Sequence, residues 1–273
     1  VAVFTAKKFP PSVKAWMDPG LPEQYTPTGA GCGGFRQVGR YMIFNRYNDL
    51  KSNIEEKIKN LKAATASMIN PKFIIYLICG LGGGTGSGTI IDATYLIRSC
   101  ASQYVSNTYK LVGCLMTADV QFSEITDSAT REYLKKNCYC ALKEIDSFIE
   151  SANYSMNYGS QIVTSTERIF DNCILLTGRD ETGSLIGAKS KDKVQSILNN
   201  FLIELSTKSD LTNKDNSGNM TIDAFLDNSS VAIPIVVNNL SYPKNAHFKY
   251  CSLGSGAITL PIEQIYNYIT SET

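Results

Sequence analysis

Cys79-Gly80-Leu81-Gly82-Gly83-Gly84-Thr85-Gly86-Ser87-Gly88-Thr89 is the stretch on which the reading of this chain turns. Before it runs Phe73-Ile74-Ile75-Tyr76-Leu77-Ile78-Cys79, an unbroken β-branched and aromatic series of the kind that fills a strand buried on both faces. After it, Ile90-Ile91-Asp92-Ala93-Thr94-Tyr95-Leu96-Ile97-Arg98 returns its apolar residues at helical spacing. A strand feeding a glycine loop that opens a helix gathers free backbone N–H groups and the positive end of a helix dipole at one point. Such a point binds anions, and phosphate is the one expected. Glycine costs roughly 0.5–1 kcal/mol per position in chain entropy, so five glycines between Gly82 and Gly88 need a reason beyond turn geometry.

Two common phosphate loops do not fit. A Walker A loop has Lys immediately before its final Ser or Thr, whereas Gly88 precedes Thr89 and Gly86 precedes Ser87. The dinucleotide fingerprint needs glycines at relative positions one, three and six. Counted from Gly80, Gly82, Gly84 or Gly86, the sixth residue is Thr85, Ser87, Thr89 or Ile91. It also needs an acidic residue about twenty positions on to hold a ribose, and no Asp or Glu occurs between Asp92 and Asp119. A dinucleotide-dependent oxidoreductase is disfavoured on both counts.

Outward from the loop, Lys110 to Thr117 reads as a second buried strand, which makes a β-loop-α-β unit and a mostly parallel sheet. Ala118 to Ser123 leaves that strand on the same edge as the glycine loop, where ligands collect in open α/β sheets. A long helix follows over 127–151, then a third strand over 169–177. The polar turn Gly178-Arg179-Asp180-Glu181-Thr182-Gly183 ends that strand on the ligand edge. Residues 192–205 form an apolar helix with Val194, Ile197, Leu198, Phe201, Leu202 and Leu205 around much of its circumference, as in a central helix.

On the amino-terminal side, residues 1–34 are rich in Pro and Gly and read as irregular structure. Thr28 to Arg40 combines glycines with Arg36 and Arg40; it is either a phosphate-facing segment or a glycine-rich lead-in to a helix near Tyr41 with solvated arginines. Residues 49–67 carry Leu50, Ile54, Ile58 and Leu61 on one face of an amphipathic helix expected to pack on the sheet. Beyond the polar stretch 208–218, strands are expected over 231–238 and around 250–260, with a helix opening at Pro261.

Composition narrows the function. Lys and Arg number 26 against 25 Asp and Glu, so no overall field draws nucleic acid or an anionic membrane. The apolar runs are far short of the roughly 18–20 residues of a membrane-spanning helix. Eight dispersed cysteines and the single His247 leave little material for a zinc site or a histidine triad. The cysteines read as small buried hydrophobes in a reducing, cytoplasmic setting, with Cys138 and Cys140 as one core-facing and one lateral residue of a helix rather than a metal pair. The sequence opens on Val1 with no signal-peptide pattern, and a longer parent chain is expected.

Gly82 to Gly88 match in full the signature GGGTGSG of the tubulin/FtsZ superfamily, in the strand–loop–helix setting that signature occupies. The resemblance, to the bacterial tubulin-like type, runs over roughly residues 28–205 in element order. It implies an α/β fold with a mostly parallel sheet flanked by helices, a nucleotide-binding domain over 1–207, and a small or truncated α+β part over 208–273. It implies that Gly82, Gly83, Gly84, Thr85, Gly86 and Ser87 wrap the phosphates of GTP or GDP with Mg2+, the backbone being the main donor. Gly31 and Arg36 belong to a GAG…R…GR segment expected near the γ-phosphate. Asn137 belongs to an N…ALKE stretch and is expected among the nucleotide-binding residues, and Asn199 stands where an Asn reads guanine. The stretch around Asp223 resembles the loop that completes the active site of the next subunit, with Asp223 in place, Thr221 for the Asn, Leu226 at the second acidic position and Asp227 one residue late. These features imply a GTPase that polymerises head to tail into cytoskeletal filaments, with an adaptor protein as a further partner; the alternative is a non-polymerising nucleotide-binding regulator. Val at Gly84 or Gly86 is expected to abolish GTP binding and leave the fold intact.

Overall fold

The computed structural model describes residues 9–21, 31–69, 71–106, 108–151, 153–159, 161–180, 182–207, 236–237, 240–241 and 250–253. In chain order its elements are α1 (Pro11–Lys14), α2 (Arg36–Asn45), α3 (Tyr47–Ala64), β1 (Phe73–Gly80), α4 (Gly84–Tyr104), β2 (Tyr109–Met116), a 3-10 turn (Ala118–Gln121) and α5 (Ser128–Glu150). There follow β3 (Tyr154–Asn157), β4 (Ile162–Ser165), β5 (Asn172–Leu176), α6 (Ser190–Thr207), β6 (Val236–Val237), β7 (Leu240–Ser241) and β8 (Cys251–Ser252).

The sheet has the order β1-β2-β5-β8 and is parallel throughout. β1 and β2 pair along their whole length, from Phe73 opposite Tyr109 to Gly80 opposite Met116. β2 and β5 are covered on both faces, which is why they read as continuous apolar runs. β1, at the edge of the described sheet, is only half-buried beyond Phe73, with Ile78 47 % exposed, which corrects the expectation of a strand buried on both faces. Leu111 and Leu115 of β2 and Cys173 of β5 pack toward α3, α4 and α5, whereas Val112, Cys114, Ile174 and Leu176 pack toward Val194 and Leu198 of α6. Each fully buried Leu or Ile contributes about 1.5–3 kcal/mol of burial. Burial also pushes the Cys100 thiol up to about 11 and the Cys114 thiol up to about 12, so both behave as small hydrophobes.

Helix starts have local causes. Asp127 caps α5 by accepting from the Thr130 N–H at 2.7 Å, a cap of about 1 kcal/mol. Arg131 then donates to the carbonyls of Phe122 and Ile125 and fixes the segment ahead of the cap. In α5 the expected division holds, with Cys138 buried and Cys140 exposed. Three expectations are corrected. α2 begins at Arg36, earlier than Tyr41. α3 packs chiefly on α4, not on the sheet, because α4 already occupies that face. α6 buries one stripe among its described side chains, with Ile203 58 % exposed, since only one side of it meets the sheet.

The hairpin of β3 and β4 has no counterpart in the sequence reading. Its Tyr154 stacks on Tyr95 of α4 at 4.0 Å, and Tyr158, just beyond β3, stacks on Tyr47 of α3 at 4.2 Å. Both hydroxyls donate to Asp92 of α4, at 2.6 and 2.9 Å, and Arg40 Nε adds a third donor at 3.2 Å. Asp92 is 2 % exposed, and a carboxylate so buried needs these partners. Burial first, then the Asp92 charge, pushes both tyrosine hydroxyls to higher pKa. Among the described residues no helix is long and apolar enough to cross a membrane.

Candidate functional site

The site is built where β1 ends. Leu81 is fully buried and its N–H donates to Met116 O at 2.8 Å, which pins the start of the glycine loop to the end of β2. Gly83 is the N-cap of α4 in extended backbone and supplies no side-chain cap. The first-turn N–H groups of α4 have no partner within the helix. Ser87 is buried, and its hydroxyl donates back to Gly83 O. Thr85 is exposed, and its Oγ1 accepts from Cys32 N–H at 3.2 Å.

The glycines of the loop face two ways. A Cβ at Gly80 or Gly83 would meet nothing within 4 Å. A Cβ at Gly84 would stand 2.6 Å from the backbone of Gly34 and Phe35; at Gly86 it would strike Gly80 O, and at Gly88 Arg36 O. Gly84, Gly86 and Gly88 are therefore required by the close approach of α2, the 31–35 segment and the end of β1. This overturns the expectation that Val at Gly84 or Gly86 spares the fold: the added atoms collide with backbone, which has no rotamer to move to.

The 31–35 segment lies over the loop. Gly31, Gly33 and Gly34 have φ of 96°, 56° and 85°, left-handed values that let the chain turn tightly there. Asn137, from the middle of α5, donates through Nδ2 to Gly34 O at 2.8 Å and to Gly82 O at 3.0 Å. The structure thus brings Gly31, Gly82 to Ser87 and Asn137 together. Arg36 is directed elsewhere: it makes a two-pronged ion pair with Glu144 of α5, at 2.9 and 2.5 Å, and donates to Ser87 O. With Trp16, Arg40, Asp92 and Tyr154 it lines a cavity of about 620 Å³ that Gly80 and Gly83 do not line.

On the other side of the loop, the 118–121 turn and residues 177–180 meet at the carboxyl ends of β2 and β5. Asp119 joins them, a role the sequence reading did not assign. It accepts from Thr177 Oγ1 at 2.9 Å, Gly178 N–H at 3.3 Å and Arg179 Nε at 3.0 Å, and from Thr117 Oγ1. Burial works to raise its pKa; the hydrogen bonds and the Arg179 charge outweigh this and hold it below the ordinary carboxylate value. An acidic residue directly after a buried strand, with Thr and Arg after the next one, was the available signal. Ser190 Oγ donates to Val120 O at 2.8 Å and so starts α6 at the same edge.

Asn199 sits on an exposed position of α6 beside buried Leu198, about 13 Å along the helix from Ser190. Asp223 and Asp227 lie outside the described residues, as do Thr221 and Leu226. Among the described residues no group of His, Cys, Asp or Glu is placed to hold a metal ion by itself. A family model described as "Tubulin like" matches residues 4–273. A search of curated proteins finds no match.

Proposed function

Because the chain belongs to the tubulin-like family, we propose that it binds GTP against the glycine loop, hydrolyses it, and assembles head to tail into filaments in the cytoplasm. The observation that carries the reading is the lysine-free loop whose Gly80 and Gly83 face open space beside the uncapped start of α4. A phosphate chain fits there: it needs backbone donors, a positive dipole end and no intruding side chain.

The roles follow from position. N–H groups of Gly83 and the first turn of α4 donate to phosphate oxygens, and the exposed Thr85 hydroxyl lies beside them. Phosphoryl transfer asks the protein for positioning and charge rather than covalent chemistry. Magnesium, when bound through the phosphates, supplies charge neutralisation and keeps most of its water ligands. Asn199 offers both donor and acceptor to the purine edge. Asp223, helped by Asp227, orients the attacking water on nucleotide held by the neighbouring subunit.

The test is light scattering with GTP and magnesium, with GDP as control, alongside a GTPase assay over a concentration series. Assembly with GTP alone, and turnover per protein that rises with concentration, are expected, because a heterologous contact must form before hydrolysis. Asp223→Ala should bind GTP normally and lose turnover on the order of a hundredfold. A second reading, a non-polymerising nucleotide-binding regulator, is favoured by Leu226 at the second acidic position. Constant, low turnover without scattering would select it.

A further inference from the structure

We infer that Asn137 is a positioning residue that presets the direction of the Gly83 N–H, by holding the opposite end of the same peptide plane. This rests on the GTP reading of the glycine loop. Asn137 is 7 % exposed, and its carboxamide nitrogen has two protons, which go to Gly34 O and Gly82 O.

The carbonyl of Gly82 and the N–H of Gly83 belong to one trans peptide and point in opposite directions. Drawing Gly82 O toward α5 therefore sends the Gly83 N–H the other way. Gly83 is also the position where an added Cβ meets nothing within 4 Å. The peptide lies between two glycines, which adopt positive and negative φ about equally, so it turns over with little steric resistance. Turned over, it would present a carbonyl oxygen to a phosphate and repel it.

The second carbonyl serves the same purpose. Gly34 O is in one peptide with Phe35 N–H, which donates to Cys32 O at 2.9 Å and closes the 32–35 turn. By holding Gly34 O, Asn137 keeps that turn seated where Cys32 N–H reaches Thr85 Oγ1. One side chain from a third element thus fixes both glycine segments. Asn137 touches neither nucleotide nor water in this account; it acts through Gly83.

The experiment compares the parent with Asn137→Leu, of similar volume without donors, and Asn137→Ser, a smaller change that covers failure of the first to fold. In ligand-free protein, the 15N-labelled Gly83 amide should give one sharp resonance in the parent and a broadened or doubled one in either folded variant. With GTP, affinity should fall about tenfold to a hundredfold in the variants, as expected for one misdirected charge-assisted donor, while turnover of bound GTP stays within about twofold. A residue that serves only stability would lower the unfolding midpoint and move neither the Gly83 resonance nor the affinity of the folded fraction. An unchanged Gly83 amide, or unchanged affinity in a folded variant, overturns the inference. Failure of the parent to bind GTP overturns the proposed function instead, and the ligand-free amide measurement still judges Asn137.

Discussion

The two sides of the glycine loop differ more than their shared composition implies. On one side Gly84, Gly86 and Gly88 are enclosed by backbone from 34–36 and Gly80; on the other Gly80 and Gly83 have no neighbour where a side chain would begin. The first group lets a helix and two chain segments come closer than any Cβ permits, and the second leaves room for something that is not protein. A glycine string can thus be half packing device and half binding surface, and substitutions should separate the halves.

The largest effect is expected on the packed side. Gly86→Val and Gly88→Val each drive carbon atoms into a backbone carbonyl and should cost about 3 kcal/mol or more, read as a fall in the denaturant midpoint. Native stability in either variant would erase the distinction. On the open side, Gly83→Ala should stay within about 1 kcal/mol of the parent, the small loss arising at the helix cap. Its proposed GTP affinity should nonetheless fall about tenfold or more as the methyl enters the ligand space, a loss that titration calorimetry would measure. Equal affinity would move the phosphates away from Gly83.

The smallest effect concerns the edge beyond the loop. Asp119 has a folded-state pKa below the ordinary carboxylate value, so protonation favours the unfolded chain. Its contribution is complete above about pH 4 and is lost as pH falls below it. Asp119→Asn should therefore cost about 1–2 kcal/mol at neutral pH, and that difference should shrink on acidification. A gap between the two chains that stays constant down to pH 2.5 would show that Asp119 does not bind its partners as a carboxylate.

What the sequence disclosed and what it withheld follow from range. The run Phe73 to Cys79, the glycine string and the helix after it announce themselves because each is a local pattern, and β2, α5 and α6 follow from their own periodicities. The division among the glycines was hidden, since what an added Cβ would meet is set at Gly84 and Gly88 by backbone of 34–36, about fifty residues upstream, and at Gly86 by the path of Gly80. The hairpin 154–165 was missed because its alternation, Tyr154, Met156 and Tyr158, is short and lies between two stronger patterns. Asp92 looked like a polar residue on an amphipathic helix; its three donors come from α2 and the hairpin. Asn137 was noticed as part of a family pattern, yet only the structure assigns its two protons to carbonyls from two other segments. Placement of the 118–123 segment and of Gly178 to Asp180 on the same edge as the glycine loop was legible, because the carboxyl ends of parallel strands share an edge by construction.

The pairing of β8 with β5 carries a consequence for synthesis. Ile174 lies opposite Cys251 and Leu175 opposite Ser252, so the outer backbone of β5 acquires these partners only when residues far along the chain have been made. At roughly 5–20 residues per second, the ribosome leaves that strand uncovered for several seconds while β1 and β2 can already pair. An unpaired strand edge is a template for other chains. The nascent protein thus presents this edge to its neighbours in the interval between translation of Leu176 and of Cys251, and slowing translation within that interval should lower the soluble yield.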